Sequence, residues 1–344
     1  MNRTFEFRGG RTYYDEIAFL RGFSILTIVL MHLIQGYLKS CPGFLWKASS
    51  LGGTGVHVFF FCSGFGLYLS YMRNPVGYLE FLRRRFLKIY IPYVIIIGIS
   101  ALVPVMYGGN RIKALFSHIF LYKMFIPEYE CSFGEQFWFI STLFQLYLLF
   151  VPLCRWKEKL GGRVFFLVSF LLSGCWWGFI SVTGLYAKRI WNSFFLQFLW
   201  EFGLGMCLAK QAEQGCCIRL NAFSMAALSA VGLGVTAATA LRGGPIKNFN
   251  DVFGLMGYGF FALLLYCCGG RRVKGWILAL SEAAYELYLV HVLVFSVIFS
   301  VGGGWDKFEY GAGCISLTAA WAVSFLYHRC LERCRKIWIK GERR

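Results

Sequence analysis

Apolar runs of about twenty residues, each long enough to cross a bilayer as a helix, recur along the whole chain with only short polar breaks. They place spans near 17–38, 52–72, 89–107, 136–154, 164–182, 193–209, 220–241, 251–268, 283–301 and 311–327. Segment 114–126 is shorter and carries Lys123, which suits an interfacial segment or a folded outer loop. Almost nothing is left over for a separate soluble domain. The prediction is a single all-α unit over residues 1–344, a polytopic membrane bundle of about ten transmembrane helices.

Composition sharpens this picture. With 58% hydrophobic and 19% aromatic residues, the chain lacks the polar faces that a soluble domain of this length requires. The excess of 35 Lys and Arg over 17 Asp and Glu is not a nucleic-acid signal here. With the N-terminus inside, 24 of those cations fall in cytoplasmic segments and 10 in outer loops, which predicts both termini in the cytoplasm. The run from Ile17 is too long for a cleaved signal core and contains Arg21, so an uncleaved first span is expected. The basic tail from Arg329 to Arg344, with Trp338 and Ile339 among its charges, reads as an anchor on anionic lipid. Thirteen cysteines make no disulfide scaffold, because only Cys41 and Cys131 fall in outer loops where a bridge could form. No Cys-x-x-Cys pair with matching His supports a zinc site, so no metal is expected.

Ionisable groups inside spans are costly and by default mark function. Arg21 and His32 share the first span. Eleven steps at about 100° bring them to nearly the same face, about 16 Å apart along the axis. An imidazole titrates near neutral pH and can take a proton from a hydroxyl, though a packing histidine is the alternative. His57, near the outer start of the second span, either approaches His32 to help bind a polar acceptor or caps its helix. Arg83, Arg84, Arg85 and Lys88, in the turn before the third span, fit positive-inside topology. They also fit a phosphate-rich ligand, since guanidinium groups take phosphate oxygens in pairs. Glu201 and Glu286 lie within spans, and either could pair with Arg21. Trp138 reads as an interface aromatic before a substrate platform.

Six segments in order carry a family resemblance. Phe19-Leu-Arg-Gly-Phe-Ser-Ile-Leu-Thr-Ile-Val-Leu-Met-His32 opens it, followed by Gly55-Val-His-Val-Phe-Phe-Phe-Cys-Ser-Gly-Phe65. Phe81-Leu-Arg-Arg-Arg-Phe-Leu-Lys-Ile-Tyr-Ile-Pro-Tyr93 supplies the basic turn, and Phe137-Trp-Phe-Ile140 with Gln145-Leu-Tyr-Leu-Leu-Phe150 the fourth span. Trp200-Glu-Phe-Gly-Leu-Gly205 and Tyr285-Glu-Leu-Tyr-Leu-Val-His291 follow. Together they resemble the acyltransferase 3 family of integral membrane O-acyltransferases, from about Tyr14 to His328. Two positions depart from its pattern: Lys88 stands where Arg is usual, and Ala18 where an acidic residue often precedes the arginine.

The resemblance implies transfer of an acyl group, commonly acetyl, from cytoplasmic acyl-coenzyme A, the co-substrate donor, to a hydroxyl on a glycan or lipid-linked sugar. It casts His32 as the base and Arg21 as a group that orients the donor. Arg84, Arg85 and Lys88 would hold the coenzyme A phosphates, and His57, Trp138, Glu201 and Glu286 are candidates on the acceptor side. An oxyanion stabiliser is needed but not identified. Some relatives fuse an esterase-like domain after the membrane part. None is expected here, so the acyl group would pass directly to an acceptor or to a separate partner. The expected location is the bacterial cytoplasmic membrane, among its lipids. The alternative is a transporter or flippase for a lipid-linked sugar that uses Arg21 and His32 as a binding and proton-coupling site. Paired broken helices would favour it, and the Gly302 to Gly304 patch is the nearest hint.

Overall fold

The structure, a computed structural model, describes residues 4–301 and 308–341, with side chains to Lys336. The Gly302 to Gly304 patch and the Trp338 and Ile339 side chains lie outside the described residues. Among those described, nine helices are long and apolar enough to cross a membrane, and the chain is a multi-pass membrane protein.

The elements, in chain order, are β1 (Thr4–Arg8), α1 (Asp15–Tyr37), α2 (Gly55–Arg73), α3 (Tyr78–Arg85), α4 (Ile91–Leu102) and α5 (Arg111–Ile119). Then come α6 (Trp138–Leu160), α7 (Gly162–Val182), α8 (Phe195–Glu213), β2 (Cys217–Asn221) and α9 (Ala222–Arg242). Last are α10 (Asn250–Cys268), α11 (Gly270–Glu282), α12 (Ala284–Val301) and α13 (Glu309–Gly341). Helix α8 corresponds to the expected span 193–209, which is not among those nine. It falls short on apolarity because it carries Gln197 and Glu201, yet both side chains are buried against neighbouring helices.

Three details differ from the sequence expectation. The basic cluster is not a turn: Arg83 to Arg85 end α3, and Lys88 sits in a π-helical turn, Phe86–Tyr90, that leads into α4. Pro104 then ends the third span early, because it cannot extend a helix. The bundle also has a strand pair, β1 antiparallel to β2, with Phe5 opposite Leu220 and Phe7 opposite Ile218. Short, alternating segments outside the spans gave too little signal to pair.

Helices α2 and α8 run parallel. His57 meets Glu201 toward their N-terminal ends at 2.6 Å, and Arg73 meets Glu213 at their C-terminal ends at 2.9 Å. Between these, Gly64 and Gly205 let the backbones touch: a methyl on either would strike the carbonyl of Phe202 or Phe61. Small residues allow this approach where lipid gives no hydrophobic drive for association.

Helices α1 and α12 also run parallel, in a register read from three contacts. Arg21 Nη2 donates to the Ser281 carbonyl just before α12 at 3.0 Å, His32 meets His291 at 2.9 Å, and Tyr37 meets Ser296 at 2.7 Å. At one end, Arg73 also donates to the carbonyls of Arg11 at 2.6 Å and Thr12 at 3.0 Å, beside the strand pair. This end gathers the N-terminal strand, the ends of α2 and α8, and the basic α3, and is the basic face. At the other end Glu309 holds the backbone after α1 through Lys39 and Ser40. Helix α13 then runs back until His328 lies 3.1 Å from Glu286 at the start of α12.

The loop between α4 and α6 is a packed structure rather than a free connector. Asn110 caps α5 by accepting from the Lys113 N–H at 3.1 Å. His118, fully buried, bonds Tyr93 at 2.7 Å and Ser132 at 3.0 Å. Lys123, also fully buried, donates to the Gly134 carbonyl at 2.9 Å, and burial pushes its ammonium down to about 7. Burial likewise holds His118 well below the usual imidazole range. Phe133 (φ 52°) and Gly134 (φ 132°) turn the chain sharply into α6. Positive φ is costly for Phe and natural for Gly, so the clamped loop fixes this turn. Cys41 and Cys131 are both free thiols, so the bridge conceivable from their positions is not formed.

Candidate active site

Helix α1 spans the bundle and presents Arg21 and His32 to two different cavities. His32 lines a cavity of about 710 Å³ that reaches the face opposite the basic one, between Gln35, Ser50, Tyr186 and Asn248. Arg21 lines a second cavity of about 350 Å³, which reaches the basic face beside Ser70, Arg85 and Lys88.

The imidazole of His32 is oriented from behind. His291 Nδ1 lies 2.9 Å from the Leu287 carbonyl, one helical turn back, and a carbonyl can only accept. That nitrogen therefore carries the proton, which leaves His291 Nε2 as an acceptor. His32 Nδ1 lies 2.9 Å from it and donates, so His32 Nε2 is the ring nitrogen without a proton. The two rings stack with centroids 5.1 Å apart, and Phe295 packs edge-on against His291 at 5.8 Å. A basic nitrogen held by a second group is the arrangement general-base catalysis needs. Glu135, carried by the clamped turn before α6, lines the same cavity as His32.

His57 shares this cavity. Its Nδ1 bonds Glu201 at 2.6 Å, and its Nε2 lies 3.6 Å from Asp251, whose other oxygen accepts from Gln197 at 2.5 Å. These three ligand-type side chains cluster within 4.8 Å. The 2.6 Å contact is a hydrogen bond, closer than the ~3.3 Å between neighbouring ligands on a tetrahedral ion with ~2.0 Å bonds. The group is a hydrogen-bonded brace between α2, α8 and α10.

On the basic face, Arg85 lies over the Phe81 ring at 5.5 Å, and its Nε is buried with no hydrogen-bond partner among the described residues. Such an orphaned cationic donor fits an anionic ligand oxygen.

A family model described as an acyltransferase domain matches residues 14–328. The chain belongs to the acyltransferase 3 family. Neither a curated protein nor a solved structure gave a match.

As a member of the acyltransferase 3 family, the chain is a membrane acyltransferase in general terms. Its predicted site residues do not all converge. Arg21, Arg85 and Lys88 meet in one cavity. Arg84 turns away instead, to Glu80 at 2.7 Å. His32, His57 and Trp138 meet in the other. Glu201 lies fully buried behind His57, and Glu286 faces His328, so neither pairs with Arg21; that partner is the Ser281 carbonyl. Trp138 carries Arg189 over its ring at 5.4 Å and stacks on Phe198 at 5.7 Å.

Sequence reasoning gave no role to His291, Glu135 or Tyr288. His291 carries the same signal as His32, an ionisable group in an apolar run. Its role rests on the register between α1 and α12, which spacing within one helix cannot reveal.

Proposed function

We propose that this membrane acyltransferase is an acyl-coenzyme A-dependent O-acyltransferase. It takes acetyl from the thioester on its basic face and delivers it to a sugar hydroxyl on the other. The positive-inside bias makes the basic face cytoplasmic, and the membrane is the bacterial cytoplasmic membrane. The acceptor is a glycan or lipid-linked sugar, entering the His32 cavity from outside.

The observation that carries this reading is the hydrogen-bond chain Leu287–His291–His32, which leaves a bare imidazole nitrogen in a polar cavity. His32 Nε2 takes the acceptor proton as the hydroxyl oxygen bonds to the thioester carbonyl carbon. The carbon–sulfur bond then breaks, and the thiolate leaves with the proton from His32 as coenzyme A thiol. The products are an ester and a thiol, with no redox change. Arg85 and Lys88 bind donor phosphates, and Arg21, already tied to Ser281, orients the thioester arm.

The test is thiol release by purified protein in nanodiscs, with acetyl-coenzyme A and sugar acceptors supplied. Acceptor-dependent release that His32→Ala abolishes in a folded variant supports the reading. Donor and acceptor that both bind without thiol release would instead favour a transporter working through the same two cavities.

A further inference from the structure

The two cavities share three lining residues, Phe59, Phe139 and Tyr288. Phe59 comes from α2, Phe139 from α6 and Tyr288 from α12, so three helices each contribute one ring to the same layer. Phe59 lies 6.1 Å from Phe139, and Phe139 meets Tyr288 edge-on at 5.5 Å. Both spacings are ordinary aromatic contacts, so Phe139 joins the other two rings where the cavities meet.

The three rings are held unequally. Tyr288 is fixed by its hydroxyl, which donates to the Gln136 carbonyl at 2.7 Å, and by the edge of Phe137 at 6.1 Å. Phe139 is buried and packs on Phe60 at 4.8 Å as well as on Tyr288. Phe59 is only half-buried, has no polar anchor, and is the least enclosed of the three rings.

We infer that Phe59, Phe139 and Tyr288 form an aromatic partition that selects the acyl group by its width, with Phe59 as the moving leaf. The inference rests on the transferase reading for its substrate but on the cavities alone for its geometry. Arg21, Arg85 and Lys88 lie on one side of the rings and His32 on the other. A donor whose phosphates stay with Arg85 and Lys88 must push its acyl group through the ring layer, acyl end first, before the carbonyl carbon comes within reach of an oxygen activated by His32. A methyl or straight chain is one carbon wide. An acyl group branched or aromatic next to the carbonyl is wider and needs a larger displacement of the leaf. The carbonyl of such a donor stops on the basic side, away from the base. The same rings then serve a second end: they seal two cavities that reach opposite faces of the bundle.

The experiment uses full-length protein in nanodiscs with acetyl-, isobutyryl- and benzoyl-coenzyme A, and the same protein in vesicles carrying a pH gradient. The variants are Phe59→Ala and, in case that one fails to fold, Phe139→Leu. Wild type should transfer acetyl and discriminate against both wide groups. Phe59→Ala should raise the isobutyryl-to-acetyl ratio of kcat/KM at least tenfold and speed collapse of the gradient at least tenfold. An unchanged ratio in folded variants of an active enzyme overturns the selector, whatever the leak. If wild type binds donor and sugar acceptor yet transfers nothing, the acyl-coenzyme A reading falls, and leak alone judges the partition. Leaky variants then keep the seal, and tight ones remove it too.

Discussion

His291→Phe isolates what the histidine pair contributes. The change removes the Nε2 lone pair that accepts from His32 Nδ1 at 2.9 Å and keeps a flat ring among Phe295 and Tyr288. Leaving the Nδ1–H unpaired costs about 1–3 kcal/mol, a figure that already contains the lost bond. The His32 ring then turns or changes tautomer, so Nε2 spends less time bare and aimed at the acceptor. At about 1.4 kcal/mol per tenfold, kcat/KM should fall roughly 10- to 100-fold. Deleting the base itself with His32→Ala should cost about 100- to 10,000-fold. His291→Gln keeps a carbonyl acceptor and should recover part of the loss. The assay is acceptor-dependent thiol release, with thermal unfolding in detergent to confirm that each variant is folded. The double variant should be no slower than His32→Ala, because His291 acts only through His32. Two independent, multiplying losses, or full activity in folded His291→Phe, would refute the orientation argument.

Arg85→Ala and Lys88→Ala should raise KM for the donor about tenfold or more, as hydrogen bonds to charged groups contribute about 1.5–3 kcal/mol. Arg84→Ala, whose side chain turns to Glu80, should change it little. Because Lys123 falls from the ordinary 10.5 to about 7 on burial, the unfolded chain binds more protons between those values. The penalty for burying its charge is therefore full below pH 7 and is relieved as pH rises toward 10.5. Thermal stability should climb with pH across that window, and the climb should weaken in Lys123→Met. Gly205→Ala should lower stability by about 1–3 kcal/mol, since its methyl meets the Phe61 carbonyl. Gly174→Ala, with open space around it, should not; melting in one detergent compares them.

The sequence by itself determined the all-helical membrane bundle, the placing of most spans and the Arg21–His32 pair. Each depends on hydrophobic length or on spacing within one helix, and both are local. It also carried the family, through motifs such as Phe19 to His32 read in order. Other elements lay beyond it. The β1–β2 pairing joins segments about two hundred residues apart whose alternation is too short to stand out. The end of the third span turned on Pro104, and the basic cluster became helix because α3 and its π turn continue into α4.

Only the tertiary structure decided which groups meet. Arg21 and His32 share a helix face, yet an aromatic layer sends them to separate cavities. Glu201 and Glu286 are intramembrane carboxylates, as the sequence showed, but helix packing gives them His57 and His328 rather than Arg21. His291 reaches His32 because α1 and α12 run parallel in one register, and side-chain contacts between helices set that register, not the hydropathy of either. Hydrophobicity says that a helix is in the membrane; it is nearly blind to which face turns toward which neighbour, because lipid and protein interior are equally apolar.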